Sequence, residues 1–191
     1  MDKRIIRTKK LLRRSLLDLI SRESFDKITV TKICLNAGTG RGTFYTYYSD
    51  KYVLLLDCFD EMREMTKNRF QQMQLQNNKE NDLMKGVENL IEAILLTSGK
   101  NSGKHNMLLA NGYIQSEYYK YVTDMMVYLE DLYQDVITTR FDRNQLNAFL
   151  SMGLWGFINI HGDGDKTDTR QAAYELLKDL LASNIFIRKA D

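Results

Sequence analysis

Nowhere in its 191 residues does this chain contain a proline, and its apolar residues recur at spacings of three and four rather than two. A chain without that helix breaker, patterned at the helical period, is constrained to fold from helices. The pattern predicts an all-α protein of about nine helices. "RTKKLLRRSLLDLISRE" sets Leu12, Leu16, Leu19 and Ile20 on one face with basic residues opposite, a first amphipathic helix. After the connector "FDKI", Thr29 is placed to cap a short helix over Val30 to Ala37, and Gly38 supplies the left-handed residue that stops it. A third short helix is expected from about Arg41 to Tyr47. A long fourth begins near Asp50, with Leu55, Cys58 or Phe59, Met62, Met65 and Phe70 at helical spacing, and fades into a loop over "QQMQLQNNKEND".

Further on, helix resumes in "LMKGVENLIEAILLTS", breaks at "GKNSGKHN" and continues weakly through "MLLANGY". In "EYYKYVTDMMVYLEDLYQDVI", Tyr118, Val122, Met125, Leu129, Leu132 and Val136 form one seam, and Tyr119, Met126 and Tyr133 a second stripe beside it. A helix apolar on two adjacent faces belongs inside a bundle. Two more helices are expected, about Asn144 to His161 and about Thr169 to Ile187.

The stretch "AGTGRGTFYTYYSDK", residues 37 to 51, raises the functional question: a glycine loop for a nucleotide phosphate, or a turn that presents an aromatic helix. A dinucleotide loop requires G-x-G-x-x-G after a buried strand, whereas the spacing here is G-x-G-x-G and the preceding segment is helical. No Gly-Lys-Ser/Thr follows, so a P-loop fails too. Two short helices joined by a tight turn instead form a helix-turn-helix, whose second helix enters the major groove of DNA. Phe44 and Tyr48 lie four apart and face inward. Arg41 with Tyr45, and Thr43 with Tyr47, are left pointing outward, because so short a helix cannot bury every ring. Gly42 lets the backbone approach DNA closely. Arg41 has the planar fork that suits guanine, and the hydroxyls of Thr43, Tyr45, Thr46 and Tyr47 suit phosphates or base edges. Lys51 is expected to clamp a phosphate, with Thr29 and Thr31 at the start of the preceding helix also assigned to the DNA surface.

Charge agrees with that reading. The net charge is only +2, yet residues 1 to 51 carry twelve Lys and Arg against five acids, a balance of +7, and the remainder carries −5. A basic head on an acidic body implies that the head meets a polyanion. No apolar run reaches the roughly 20 residues that span a bilayer, and "MDKRIIRTKKLLRR" lacks a secretion signal's apolar core, so a cytoplasmic protein with no membrane partner is expected. Cys34 and Cys58 sit in apolar helical patterns without metal-ligand spacing and are expected as small core residues.

With those residues in place, "FDKITVTKICLNAGTGRGTFYTYYSDKYVLLL" resembles the N-terminal signature of TetR-family transcriptional regulators, over about residues 8 to 56. The resemblance matches Thr29 and Val30 to the opening of the second helix, Ile33 and Ala37 to its packing, and Gly38 to the turn. Gly42, Thr43, Phe44 and Tyr45 match the recognition helix, and Lys51 the phosphate lysine. Cys34 stands where the family usually has Ala, Ser24 where it commonly has Gly, and Thr39-Gly40 where Val-Ser is typical. Gly40 caps a helix less well than serine by about a few tenths of a kcal/mol, so the recognition helix is expected to tighten on DNA.

The resemblance implies a helix-turn-helix domain over residues 1–50, and over 51–191 a bundle of about six helices that binds an effector and dimerises through its last two helices. "SMGLWGFIN" fits, because Gly153 and Gly156 permit close helix contact, and Ala172 and Ala173 lie beside the leucines of the final helix. Candidate lining for an apolar or aromatic effector is Met62, Met65, Met107, Tyr113, Tyr119, Met126, Tyr133, Trp155 and Phe157, although each is also an ordinary core residue type. "HGDGDKTD", residues 161 to 168, alternates acids but has Asp168 and Tyr174 where a calcium loop needs glycine and glutamate. His105 and His161, the only histidines, lack metal or nucleophile spacing. Neither a cofactor nor a metal nor an enzyme is expected. The expectation is a homodimeric repressor that leaves a near-palindromic operator when a small molecule binds; the alternative is a DNA-organising or partner-binding regulator with the same fold and no ligand.

Overall fold

The computed structural model describes residues 3–98, 111–135, 137–139, 141–160, 166–183 and 186–188. Its helices are α1 (Lys3–Ile20), α2 (Val30–Ala37), α3 (Arg41–Tyr47), α4 (Lys51–Asn77), α5 (Leu83–Ser98), α6 (Gly112–Tyr133), α7 (Arg143–Ile160) and α8 (Lys166–Ala182). A 3-10 turn, Phe25–Lys27, lies between α1 and α2. Two short strands, β1 (Ile137–Thr139) and β2 (Phe186–Arg188), pair antiparallel, Thr138 opposite Ile187. The chain divides into two compact units, Met1–Glu61 with Gly103–Tyr118, and Met62–Ser102 with Tyr119–Asp191.

In the first unit α1 buries Leu12, Leu16 and Ile20. Thr29 Oγ1 accepts the Lys32 N–H at 3.2 Å and caps α2, and Gly38, at φ 64°, ends it in the left-handed region. Asp50 caps α4 through Oδ1, which accepts the N–H groups of Tyr52 (2.8 Å) and Val53 (2.9 Å). Both cysteines are buried and unpaired, and burial pushes both thiols up from their ordinary range.

In the second unit the interior is built from α5 residues such as Leu90, Ala93 and Ile94 and from Tyr121, Val122 and Met125 of α6. The Tyr121 and Thr66 hydroxyls share a 2.7 Å hydrogen bond, and burial raises the Tyr121 phenol to about 12. Tyr133 closes the α4–α5 corner. Its hydroxyl accepts from Gln74 Nε2 (3.0 Å) and Asn78 Nδ2 (3.2 Å) and donates to the Asp82 carbonyl (3.1 Å). A Cβ on Gly86 would lie 2.3 Å from that hydroxyl, so glycine is what admits the ring.

Three expectations need correction. The amide-rich segment is not a loop throughout: α4 continues to Asn77, because Gln, Met and Leu are good helix formers and the amides of Gln74 and Asn78 are tied into the Tyr133 network. Met65 faces solvent at 40% exposure while Thr66 takes the inward position, and Leu132 is 47% exposed at the end of its seam. The final helix stops at Ala182, and Phe186–Arg188 pair with Ile137–Thr139, five of the six being β-branched or aromatic residues that suit a pleated ribbon. Val136, Met107, both histidines and residues 161–165 lie outside the described residues.

Candidate nucleic-acid interface

The geometry of α3 follows from its seven residues. Phe44 is fully buried, and Tyr48, just past the helix, is nearly so. Burying a phenylalanine ring contributes about 2 to 3 kcal/mol, which anchors a helix far too short to persist alone. Arg41, Gly42, Thr43, Tyr45 and Thr46 are exposed on the outer side, and Tyr47 is half-buried. The Arg41 guanidinium lies 6.0 Å from the Tyr45 ring centre, and Thr46 Oγ1 donates to the Gly42 carbonyl at 3.0 Å. Nothing lies within 4 Å of a Cβ built on Gly40 or Gly42. Gly40 gives α3 no side-chain cap. Thr31 is exposed at the start of α2, and Thr29, also exposed, spends its hydroxyl on its own helix.

What fixes α3 from behind is a polar clamp with no counterpart in the sequence reading. The Tyr48 hydroxyl donates to Asp57 Oδ2 at 2.5 Å. Arg13 Nη1 donates to the same oxygen at 2.8 Å, while its Nε and Nη2 grip both oxygens of Glu61 at 2.7 Å. Lys9 Nζ lies 4.0 Å from Asp57 Oδ1. One guanidinium thus ties α1 to two successive turns of α4, and the shared aspartate passes the tie to the end of α3. Burial pushes the Tyr48 phenol up, reinforced by the Asp57 carboxylate. For Asp57 burial acts upward, but the bonds from Tyr48 and Arg13 outweigh it and hold the carboxyl below its ordinary value.

Lys51 departs from the expected phosphate clamp. Its ammonium donates to the carbonyls of Phe25 (2.7 Å), Ile28 (3.0 Å) and Asp26 (3.3 Å) and sits 4.6 Å from the Phe25 ring centre. Three donors on three carbonyls make this lysine a fastener of the turn before α2.

Residues 14–58, from within α1 to the first turns of α4, match the family described as "Bacterial regulatory proteins, tetR family". That match covers the helix-turn-helix segment alone, and the likeness to solved structures extends to the fold. The chain's fold is shared along nearly the whole length. A TetR-family regulator structure from Syntrophomonas wolfei is 12% identical with a TM-score of 0.69, covering 92% of this chain and 95% of that one. The TetR regulator of Streptococcus agalactiae 2603V is 21% identical, TM-score 0.57, covering 92% and 96%. FadR of Bacillus halodurans, a fatty acid degradation regulator, is 15% identical, TM-score 0.58, covering 89% and 94%. No curated protein matches the chain.

The described candidates for effector contact fall in different settings. Tyr113 belongs to the first unit, where its ring meets Tyr52 edge-on at 5.1 Å. Met126 and Tyr133 are buried core, Met65 is exposed, and Met62, Tyr119 and Trp155 are half-buried. Met107 and the Phe157 side chain are outside the described residues. A cleft of about 550 Å³ in the second unit is lined instead by Met73, Gln76, Asn77, Lys85, Glu88, Asn89, Ile91, Glu92, Gln171 and Tyr174. It is more polar than the sequence reading expected. Among the described residues no group of His, Cys, Asp and Glu could hold a metal, and no helix is long and apolar enough to cross a membrane.

Proposed function

We propose that this chain is a regulator of the TetR family, a homodimeric repressor that reads a near-palindromic operator with α3 and leaves it when a small molecule binds the body. One observation carries the reading: α3 turns Phe44 fully inward and leaves Arg41, Gly42, Thr43, Tyr45 and Thr46 outward, with open space above both glycines. Arg41 addresses guanine; Thr43, Tyr45, Thr46 and Tyr47 address phosphates or base edges; Thr29 and Thr31 flank them. Lys51 acts here by holding the turn before α2. Residues 1–50 are the reading head and 51–191 the sensing and pairing body.

Pairing through α7 and α8 is supported by an unclothed apolar face. Phe149 is 67% exposed, Met152 57%, and Gly153 on the same side has nothing within 4 Å of a built Cβ, while Leu176 and Ala172 are exposed on α8. Two copies meeting on that face form an isologous interface, and two heads then reach successive major grooves. The cleft sets charged and amide side chains beside Met73, Ile91 and Tyr174, so it suits an aromatic or apolar effector that also carries polar groups. The effector must bind the two dimer arrangements with different affinity, since only that difference shifts the equilibrium. Selection of genomic fragments by the purified protein, followed by a screen of small metabolites for release, tests both halves. Recovery of paired half-sites about one helical turn or a multiple apart, released by a compound, is expected. Fragments without symmetry argue against the paired reading, and failure of every compound favours a DNA-organising regulator without a ligand.

A further inference from the structure

On α1, Lys3, Arg7, Lys10 and Arg14 repeat at four-three-four and fall on one face, opposite the buried Leu12, Leu16 and Ile20. All four are exposed, and among the described residues none has a carboxylate partner. Most of the described acids of this unit are engaged elsewhere. Asp18 pairs with Arg22 (2.9 Å), Glu23 with Lys32 (2.6 Å), and Asp57 and Glu61 with Arg13, while Asp26 accepts from Asn111 and Asp50 caps α4. Four uncompensated cations therefore line about 16 Å of helix surface at 1.5 Å per residue. Solvated faces of that kind normally interleave both signs; one sign alone along a straight rod matches a polyanion of regular charge spacing.

We infer that the outer face of α1 is a second DNA-contacting surface, one that binds the phosphates of duplex DNA without reading sequence, separate from the α3 surface that reads bases. It rests on the DNA-binding reading above and adds a division of labour to it. Four cations spread over three helical turns match a row of phosphates rather than one base edge, so the stripe contributes affinity that every sequence shares. In that role it raises the time spent on any duplex and leaves discrimination to Arg41 and its neighbours.

The test neutralises the stripe in the full-length protein with Lys3→Gln, Arg7→Gln, Lys10→Gln and Arg14→Gln together, beside a control with Lys67→Gln, Lys79→Gln and Lys178→Gln in the body. Binding to a selected operator duplex and to a random duplex is measured across salt concentrations. The stripe variant should lower the slope of log affinity against log salt by about 2 to 4 per protomer on both duplexes, with the operator-to-random ratio unchanged within about twofold. Unchanged slopes overturn the inference. So does an equal loss per charge in the control, which would make the effect one of net charge, and so does binding to phosphatidylglycerol vesicles that needs the stripe while DNA slopes stay fixed. A wild-type protein that prefers no duplex would undo the DNA-reading proposal itself; a wild type that selects its operator beside an unaffected stripe variant undoes only this inference.

Discussion

Asp57 holds the residue scale together, since one carboxylate oxygen receives both the Tyr48 hydroxyl and an Arg13 N–H. Asp57→Asn removes the charge that both donors address and should cost about 1 kcal/mol or somewhat more, the value of a charge-assisted bond in a partly solvated site. The pH dependence has a definite sign. Because the folded carboxyl is held below its ordinary value, its contribution is fully present above the unfolded value near pH 4 and is lost as pH falls through the depressed one. Denaturant titrations of wild type and Asp57→Asn should thus differ at neutral pH and converge as pH falls below about 4; a gap independent of pH would count against the clamp. Gly86 offers a second residue-scale test. A methyl there meets the Tyr133 hydroxyl at 2.3 Å, and that ring is held by three hydrogen bonds, so Gly86→Ala should lower stability by about 1 to 3 kcal/mol in thermal melts.

Elements divide by how local their causes are. The bounds of α2, α3 and α5 were legible because capping, a glycine stop and apolar period all act within a dozen residues, and the inward pairing of Phe44 and Tyr48 came from spacing alone. What escaped was non-local. Arg13 meets Asp57 across 44 positions and Lys51 meets Phe25 across 26, separations that no periodicity encodes. The run after Phe70 looked like a linker by composition but remains helical because its amides find partners on Tyr133. The β ribbon joins segments 49 residues apart, Thr138 to Ile187, so neither strand announces its partner. For α3 the account separates stability from function. Gly42→Ala has open space for its methyl and removes a helix-interior glycine, so it should stabilise the protein by up to about 1 kcal/mol while weakening operator binding, because the methyl stands on the surface that approaches DNA. Unfolding curves together with operator titrations check this; binding left intact would show that Gly42 does not approach the duplex.

For the whole molecule, the proposed pairing of bodies carries the operator geometry. Phe149 and Met152 lie on the exposed face of α7, so Phe149→Glu with Met152→Glu should leave the fold intact, convert a dimer to a monomer in sedimentation, and reduce operator affinity more than random-duplex affinity. An unaltered dimer would move the interface elsewhere. The acidic balance of residues 52 to 191 against the basic head fits the same plan, with polyanion contact confined to one end of the chain. The most direct measurement is competition between operator and random duplex for the wild-type protein and for Arg41→Ala. The account predicts that Arg41→Ala lowers operator affinity about tenfold or more while changing random-duplex affinity little, so their ratio collapses. An operator-to-random ratio unchanged by that substitution would contradict the claim that α3 reads the bases.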